Sequence, residues 1–526
     1  MPTAKVLSAT VVGLTGVLVE VEVDVGPGLP QCTIVGLPDA AVRESRDRVR
    51  AAIRNCKVAF PRTRVTVNLA PADLKKEGPA FDLPIAAAIM LAHGRVEFER
   101  EDGEPDTSVA VVPMADRTLF VGELALDGAL RPVVGILSIA LAAKRLGITT
   151  IILPEANAPE AAAVAGLRLL PAAHLAQIIP HLLGQEQLRV YERREAVHVE
   201  DPYELQHNDL AYVHGLASAK RALAVAAAGG HNLLFVGPPG TGKSLLAKAI
   251  PTILPPLTEE EALEVTMAHS VVGLAPMRGG LLRERPFRAP HHSASDIAII
   301  GGGQVPKPGE ISLAHHGVLF LDEFPEFKRP VLEALRQPLE DGAVTVSRAA
   351  GSVTFPARFM LVAAQNPCPC GYWRDSQRQC VCAPSQVLRY QQKISGPMLD
   401  RIDLVVDVPR QSSEVLLTEP HEAPSSAVRA EVIAARDRQR ARGVALGIAT
   451  LNARLSASEL RTASALDDDA KQVLLKAADR YHLSSRATLR TLRVARTIAD
   501  LAAAPAIATT HITEALTYRP KEQVAA

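Results

Sequence analysis

The stretch Leu233-Leu-Phe-Val-Gly-Pro-Pro-Gly-Thr-Gly-Lys-Ser244 decides the fold of this chain. A short apolar run typical of a buried strand leads into a glycine-rich loop, and the helical pattern Leu245-Leu-Ala-Lys-Ala-Ile250 follows. Glycines let backbone N–H groups turn towards an anion, a lysine supplies charge for the β- and γ-phosphates, and a serine hydroxyl binds Mg²⁺. The sequence therefore predicts a site for a nucleoside triphosphate with Mg²⁺, formed by Gly237, Pro238, Pro239, Gly240, Thr241, Gly242, Lys243 and Ser244.

Two carboxylates follow a second apolar run about 80 residues further on, in Gly317-Val-Leu-Phe-Leu-Asp-Glu323. Ligands of open parallel sheets bind at the carboxyl ends of the strands, which is where these two residues stand. Asp322 is predicted to hold Mg²⁺, directly or through water. Glu323 is predicted to orient and deprotonate the attacking water.

A third strand pattern, Phe359-Met-Leu-Val-Ala-Ala-Gln365, ends at Asn366. The amide of Asn366 could hold the lytic water or contact the γ-phosphate; alternatively it begins the turn before Pro367. The order of the strands favours the functional interpretation.

The net charge of the chain does not indicate what it binds, because Lys+Arg and Asp+Glu both number 57. No uncharged apolar run reaches the roughly 18 residues that a membrane span needs, and the N-terminal residues lack an apolar signal core. We therefore expect a cytoplasmic protein with no membrane partner. Its six cysteines are then expected to be reduced or to hold metal.

Patterning predicts an α/β protein of several parts. Residues 1–184 mix strand and helix patterns, as an α+β domain does. Val17–Val25 alternates as a half-buried strand does, and Arg43–Cys56 is predicted to be an amphipathic helix. Residues 185–206 are a polar linker. Residues 207–410 alternate helices with apolar strands, which predicts a nucleotide module with a parallel sheet covered by helices on both faces. A loop at 411–426 precedes a helical lid at 427–526.

A basic hairpin is predicted between the Asp-Glu strand and Asn366. Two β-branched runs flank Arg348-Ala-Ala-Gly351. From Ala343 to Gly396 there are six basic residues and one acid, Asp375. A basic element of this kind can bind a phosphate backbone without reading sequence, so Arg348 is the candidate DNA contact. The alternative is an edge hairpin whose arginine is merely solvated.

Four of the six cysteines fall within fifteen residues, as Cys368-Pro-Cys370 and Cys380-Val-Cys382. Four thiolates suit tetrahedral Zn²⁺ in a structural site. The spacing Cys-x-Cys is tighter than the common Cys-x-x-Cys, so four reduced thiols without a metal remain the alternative. The pattern favours structural zinc.

These motifs resemble the AAA+ ATPases, in the branch that contains magnesium chelatase, MCM helicases and MoxR proteins, and above all the YifB/ComM family of magnesium chelatase-like proteins. The resemblance covers nearly the whole chain. Five further segments carry it: Val35–Asp39, Ala226–Leu234, Arg285–Ser293, Pro308–His315 and Asn366–Gly371.

The resemblance implies roles for residues that the pattern alone leaves open. Asn366 matches the sensor-1 position, and Arg401, in Ser395-Gly-Pro-Met-Leu-Asp-Arg-Ile-Asp403, matches the arginine finger that reaches a neighbouring subunit's nucleotide. Arg486 is the first candidate for the sensor-2 contact with the γ-phosphate, and Arg490 is the second. A finger acting in trans implies a homo-hexameric ring with ATP at each interface, and the predicted hairpin resembles the channel hairpin of MCM rings.

The N-terminal part resembles the Lon-type protease domain, which has an S5-like α+β fold, but lacks its chemistry. Ala80 stands where those proteases carry the nucleophilic serine, and Leu137 where they carry the lysine. Peptidase activity is therefore disfavoured and a scaffold role expected.

The family resemblance implies a DNA motor on single-stranded or branched DNA, a helicase for branch migration in recombination or natural transformation. The alternative is a protein-remodelling or metal-insertion ATPase of the MoxR or magnesium chelatase type.

Overall fold

The structure is a computed structural model of the chain, and it describes residues 3–99, 105–111, 117–192, 208–275, 280–303, 306–348, 351–412, 423–448 and 450–519. The chain forms two compact units. The first comprises residues 1–198 and 262–282, and the second comprises residues 199–261 and 283–526. Most of the predicted linker (193–206) and of the predicted loop (413–422) lies outside the described residues.

A mixed seven-stranded sheet with the order β11-β10-β7-β1-β2-β4-β3 forms the centre of the first unit. β1, β2 and β4 pair antiparallel, and the outer pairs are parallel. Among the described residues, the strands of this unit are β1 Thr3–Val12, β2 Thr15–Gly26, β3 Gln31–Val35, β4 Arg64–Ala70, β5 Arg95–Glu99, β6 Pro105–Ala110, β7 Thr118–Phe120, β8 Glu123–Leu124, β9 Leu130–Arg131, β10 Thr150–Pro154 and β11 Arg168–Ala172.

The predicted alternation of β2 is confirmed. Val19, Val21, Val23 and Val25 are buried in one apolar cluster, whereas Leu18 packs against a second cluster. A strand presents alternate residues to opposite faces of its sheet, so both faces of this sheet are covered.

The helices of the first unit are Ala40–Asn55, Asp82–His93, Ile136–Arg145, Ala158–Ala161 and Leu175–Leu182. The first begins three residues before the predicted start at Arg43, because the Asp39 carboxylate accepts the Val42 N–H at 2.7 Å and caps the helix. Residues 262–282 also belong to this unit, although their sequence falls inside the predicted nucleotide module.

The second unit has a five-stranded sheet in which every pairing is parallel, with the order β13-β16-β19-β12-β20. This is the α/β fold expected of an AAA+ module. The remaining strands are β12 Leu233–Val236, β13 Phe287–Arg288, β14 Gly301–Gly302, β15 Lys307–Pro308, β16 Val318–Leu321, β17 Ala343–Arg348, β18 Gly351–Pro356, β19 Met360–Gln365 and β20 Leu404–Asp407.

Helices surround this sheet and make up the C-terminal part of the chain. They are Ala217–Gly229, Lys243–Ile253, Glu259–Ser270, Asp296–Ile300, Glu310–Leu313, Arg329–Ala334, Arg336–Asp341, Pro384–Gln391, Gly396–Leu399, Ser425–Leu446, Ala457–Ala463, Asp468–Arg480, Ser485–Leu501 and Thr509–Thr517. The five from Ser425 onwards form the helical lid, and Ser485–Leu501 is called the lid helix below. Within the described residues, no helix is both long enough and apolar enough to span a lipid bilayer.

Candidate nucleotide site

The loop between β12 and the helix Lys243–Ile253 has the backbone of a phosphate cradle. Gly240 and Gly242 have φ angles of 77° and 89°, which side-chain-bearing residues rarely adopt. Gly237 has no room for a side chain, because a Cβ atom there would lie 2.2 Å from the Val408 carbonyl oxygen. The Thr241 hydroxyl donates to the Pro238 carbonyl at 3.0 Å and closes the turn. The glycines that the sequence singled out are therefore required by conformation and by space.

Lys243 lies at the start of the helix with its ammonium group inside the loop. Its Nζ atom donates to the carbonyl oxygens of Gly237 and Pro238, both at 2.7 Å. Burial lowers the pKa of Lys243 to about 8, and the nearby Asp322 carboxylate opposes this shift only in part. An anionic phosphate would reverse the shift, because it stabilises the charged amine.

Ser244 and Asp322, the two predicted magnesium ligands, are in direct contact. The Ser244 hydroxyl donates to Asp322 Oδ2 at 2.6 Å, joining the phosphate loop to the end of β16. One hydroxyl and one carboxylate oxygen fit Mg²⁺, which binds few protein oxygens and takes its other ligands from water and phosphate. The residues present therefore fit the metal.

Glu323, the predicted general base, lies just beyond the end of β16 and has an exposed side chain. Its φ of 51° turns it out of the strand, and 57% of its side chain is exposed. His292 Nδ1 lies 3.0 Å from Glu323 Oε2. A carboxylate only accepts hydrogen bonds, so the imidazole donates. The His292 ring is braced by the edge of Phe327 and by the ring of His291, whose centroid is 4.1 Å away.

Asn366 reaches the phosphate loop from the end of β19. Its Oδ1 atom accepts from Lys243 Nζ at 3.3 Å. The structure thus brings together the loop, Asp322 and Asn366 at the carboxyl ends of three neighbouring parallel strands, as the sequence predicted.

Arg401 and Arg486 lie together, at a shared carboxylate. Arg401 Nη2 is 2.6 Å from Glu340 Oε1, and Arg486 forms an ion pair with the same oxygen. Arg401 also donates to the carbonyl groups of Arg336 and Pro397. Burial acts to raise the pKa of Glu340, but the two guanidinium groups outweigh it and hold that pKa below its ordinary value. The contacts of Arg401 and Arg486 are thus with Glu340 and its surroundings.

Arg490 has a different environment from Arg486, one turn earlier on the lid helix. Its side chain is buried and donates to the carbonyl groups of Ile402 and Leu399 at 2.9 and 3.2 Å, and to Asp400 Oδ1 at 3.1 Å. These contacts hold the segment that carries Arg401. They favour a structural role for Arg490 over the predicted contact with phosphate.

The predicted hairpin is present as the antiparallel pair β17–β18, in register from Ala343↔Pro356 to Arg348↔Gly351. Val344, Val346 and Phe355 are buried on one face. Hydroxyls line the other, where Thr345 contacts Thr354 at 3.1 Å and Ser347 contacts Ser352 at 3.0 Å. Residues 349 and 350 and the side chain of Arg348 lie outside the described part of the structure, so the predicted DNA contact stays a prediction.

Two basic residues near the hairpin in sequence are already engaged. Lys393 pairs with Glu326 at 2.9 Å, and the Arg378 guanidinium lies 4.3 Å from the centre of the Tyr372 ring. The charge of Lys393 is therefore compensated within the unit, whereas Arg378 keeps its net charge and is held on an aromatic ring.

The four predicted metal-binding cysteines converge. The Sγ atoms of Cys368, Cys370, Cys380 and Cys382 all lie within 4.8 Å of one another, and three of the separations are 3.4, 3.5 and 3.7 Å. Zn–S bonds of about 2.3 Å in a tetrahedron place sulfurs about 3.8 Å apart, so the cluster has the dimensions of a zinc site. Burial opposes ionisation of Cys370, but backbone N–H groups lower the pKa of its thiol to about 6.

The cysteine segment also touches the phosphate loop. Gly371 has a φ of 88°, and a Cβ atom there would lie 2.6 Å from Pro239 Cδ. The fold of the cluster therefore bears directly on the shape of the loop.

Ala80 and Leu137, the two positions compared with a protease dyad, lie in the same apolar cluster of the first unit. Leu137 is fully buried and Ala80 partly so. Neither side chain offers a nucleophile or a base.

Two residues of the site escaped prediction. His292 falls in the segment Arg285–Ser293, whose likeness to the YifB/ComM family was the available signal. No sequence signal pointed to Glu340, because an acidic residue on a helix is ordinarily exposed to solvent.

Three family models match the chain. The model described as magnesium chelatase, subunit ChlI matches residues 209–416, and the model of its C-terminal part matches residues 422–519. A third, described as subunit ChlI of Mg-chelatase, matches residues 21–157.

Two curated relatives match over almost their whole length, and a third matches over part of it. YifB of Escherichia coli is 44% identical over 508 residues, which cover 96% of this chain and 95% of that protein. The competence protein ComM of Haemophilus influenzae is 43% identical over 523 residues, covering 99% and 98%. The magnesium-chelatase 38 kDa subunit of Rhodobacter capsulatus is 28% identical over 151 residues, covering 26% and 43%.

Proposed function

The chain belongs to the YifB/ComM family of magnesium chelatase-like AAA+ ATPases, and we propose that it works as a ring-forming motor that hydrolyses ATP to move along DNA. The ATPase, with ATP and Mg²⁺, follows from the family itself. The ring and the DNA substrate are the proposal.

The chemistry at one nucleotide follows from the side chains around the loop. Lys243 and the loop N–H groups bind the β- and γ-phosphates, while Ser244 and Asp322 hold Mg²⁺, which neutralises charge on the phosphoryl oxygens. Glu323 accepts the proton of the attacking water, and Asn366 orients it. His292, 3.0 Å from Glu323, fixes the direction of that carboxylate.

The observation that carries the ring is the pairing of Arg401 and Arg486 on Glu340. Two arginines that share one carboxylate lie side by side, so we infer that both serve the same nucleotide. The family role of Arg401 is in trans, and Arg486 therefore also serves the neighbouring subunit. Such a finger contributes roughly 10³–10⁵ to the rate of hydrolysis, which makes assembly a condition of activity.

DNA as the substrate is supported by the hairpin β17–β18 and by one relative that is a competence protein. The hydroxyl face of the hairpin offers hydrogen bonds to phosphate oxygens, and Arg348 at its tip end adds charge. A ring that repeats this element around a channel would bind single-stranded or branched DNA without reading its sequence.

Zinc and an inactive Lon-like domain complete the proposal. The Cys368–Cys382 cluster binds one structural Zn²⁺ and stiffens the segment that touches Pro239. The first unit acts as a scaffold for the ATPase, in keeping with the apolar surroundings of Leu137.

The deciding experiment measures ATP hydrolysis with and without single-stranded DNA, for the parent protein and for Glu323→Gln. We expect DNA to accelerate the parent and Glu323→Gln to bind ATP without hydrolysing it. DNA affinity should fall with salt, with a logarithmic slope of about −0.7 for each phosphate contact. A flat salt response together with no acceleration would refute the DNA motor and favour the alternative, a remodelling ATPase of the magnesium chelatase type, which the three family models support.

Two arginine variants distinguish a specific contact of the hairpin with DNA from a general effect of positive charge on DNA binding. Arg348→Ala should weaken DNA binding and flatten its salt dependence. Arg440→Ala is the matched control, since Arg440 is exposed on a helix and pairs with Asp437. Equal effects of both variants would contradict a role for the hairpin.

A further inference from the structure

His231 and Asn232 stand where the helix Ala217–Gly229 turns into β12, and their side chains connect three separate elements. One is the segment 401–403, which carries the finger. The second is β19, which is followed directly by Asn366. The third is the lid helix. The ATPase chemistry derived above uses neither residue.

The Asn232 amide joins the first two elements. Its Nδ2 atom donates to the Arg401 carbonyl at 2.8 Å, and its Oδ1 atom accepts the Leu361 N–H at 2.9 Å. The Asn232 backbone adds to this, because its carbonyl accepts from the N–H groups of Asp403 and Leu404, each at 3.0 Å. The Asn232 side chain thus connects Arg401 directly to β19, the strand that precedes Asn366.

The His231 ring joins the finger segment to the lid. It is fully buried, and its Nδ1–H donates to Asp403 Oδ2 at 3.3 Å while Nε2 lies 2.8 Å from the Thr497 hydroxyl. Gly229 leaves the space for this contact. A Cβ atom there would lie 2.3 Å from His231 Nε2 and 2.5 Å from Thr497 Oγ1.

The lid side of this contact is itself fixed. Thr497 accepts from Asn452 Nδ2 at 3.1 Å, and the same amide donates to Asp500 Oδ2 at 2.8 Å. Asp500 in turn binds Arg442 and Arg496. Thr497, Asn452, Asp500 and Arg496 are buried and hydrogen-bonded, which makes the network stiff.

We propose that His231 and Asn232 are positioning residues. They make the position of Arg401 in one subunit depend on the positions of β19, which precedes Asn366, and of the lid helix in the same subunit. The inference rests on the proposed trans action of Arg401. A change at the nucleotide that shifts β19 through Asn366 would shift the Arg401 carbonyl through Asn232, and so alter the finger offered to the next subunit.

The test is Asn232→Asp, which keeps the acceptor for Leu361 N–H but sets an oxygen against the Arg401 carbonyl. Asn55→Asp is the matched control, since the Asn55 amide also donates to a carbonyl, that of Leu126, at 2.7 Å, but in the first unit. We expect ATP binding and assembly to be unchanged in both. Hydrolysis should fall roughly 100-fold in Asn232→Asp alone, as for other small displacements of a catalytic group.

Mixed rings show where the defect acts, because each site takes its loop from one subunit and its finger from the next. Mixing Asn232→Asp with Glu323→Gln should restore activity, since an intact loop then meets an intact finger at roughly a quarter of the interfaces of a random ring. Mixing Asn232→Asp with Arg401→Ala should restore none. The reverse pattern, or loss of ATP binding by Asn232→Asp alone, would overturn the proposal.

A control mixture separates this inference from the function on which it rests. Arg401→Ala mixed with Glu323→Gln should recover activity if fingers act in trans at all. No recovery there would refute the shared site itself. Recovery there without recovery of the Asn232→Asp mixture would refute only the role of Asn232. Thr497→Val, which removes a hydroxyl of the network at constant volume, should repeat the Asn232→Asp pattern in weaker form.

Discussion

Arg486 and Arg490, one turn apart on the lid helix, should respond oppositely when each is changed to methionine. Methionine keeps much of the length and apolar volume of arginine and removes only the guanidinium. Half of the Arg486 side chain is exposed, and its partner Glu340 is 42% exposed. Arg490 is buried and holds two backbone carbonyls and Asp400.

The expected losses of stability follow from these contacts. An exposed ion pair contributes about 0–1 kcal/mol, so Arg486→Met should hardly change the unfolding temperature. Removing Arg490 leaves two carbonyls without their charged donor, at about 1.5 kcal/mol or more each. The free energy of unfolding should therefore fall by about 3 kcal/mol. For a unit of about 300 residues, with an unfolding entropy of about 2.1 cal/mol/K per residue, that corresponds to about 5 °C in unfolding temperature.

The two variants should lose ATPase activity for different reasons. Arg486→Met should lose ATPase while folding normally, because a charge at the neighbour's nucleotide is missing. Arg490→Met should lose ATPase only to the extent that the segment carrying Arg401 loosens. The assays are thermal unfolding by circular dichroism, binding of a fluorescent ATP analogue, and steady-state hydrolysis. A stable, inactive Arg490→Met protein would refute the structural role of Arg490 and restore it as a phosphate contact.

Four further predictions concern the rest of the site. Arg401→Ala should abolish ATPase and leave ATP binding largely intact; loss of ATP binding would argue against a finger. Protein purified without added zinc should contain one zinc per chain by elemental analysis, and Cys380→Ser should lose it; less than one zinc per parent chain would end the zinc proposal. His292→Ala should lower the maximal rate about tenfold, with His292→Gln recovering part of it through its N–H donor; unchanged rates would exclude a role for the contact with Glu323. The pKa of Lys243, about 8 in the free protein, should rise when phosphate binds, so ATP affinity should weaken as pH climbs from 8 to 9.5 and binding there should take up protons, measurable by calorimetry in buffers of different ionisation enthalpy.

The fold and the centre of the site could be predicted because both are encoded locally. Period-2 alternation marks β2, and the phosphate loop is a contiguous motif whose glycines satisfy backbone geometry within eight residues. Asp322 and Asn366 each follow an apolar strand directly, and parallel strands deliver such residues to one edge.

The parts that could not be predicted depend on contacts between distant residues. The helical spacing puts Arg486 and Arg490 on one face, but only the packing of the segment 399–402 decides that Arg490 is covered and Arg486 is not. Glu340 and His292 become part of the site through partners about 60 and 30 residues away in sequence. Nor does any local pattern reveal that residues 262–282 belong to the first unit.

That return of residues 262–282 to the first unit limits how the protein can be dissected. Leu263, Met267 and Leu281 pack against the apolar cluster that contains Leu137. A chain shortened to start at residue 199 would keep these three side chains and lose the apolar cluster against which they pack, which would favour aggregation. Removing the N-terminal residues alone would therefore not give a soluble ATPase fragment. Residues 262–282 would also have to be replaced by a short polar linker.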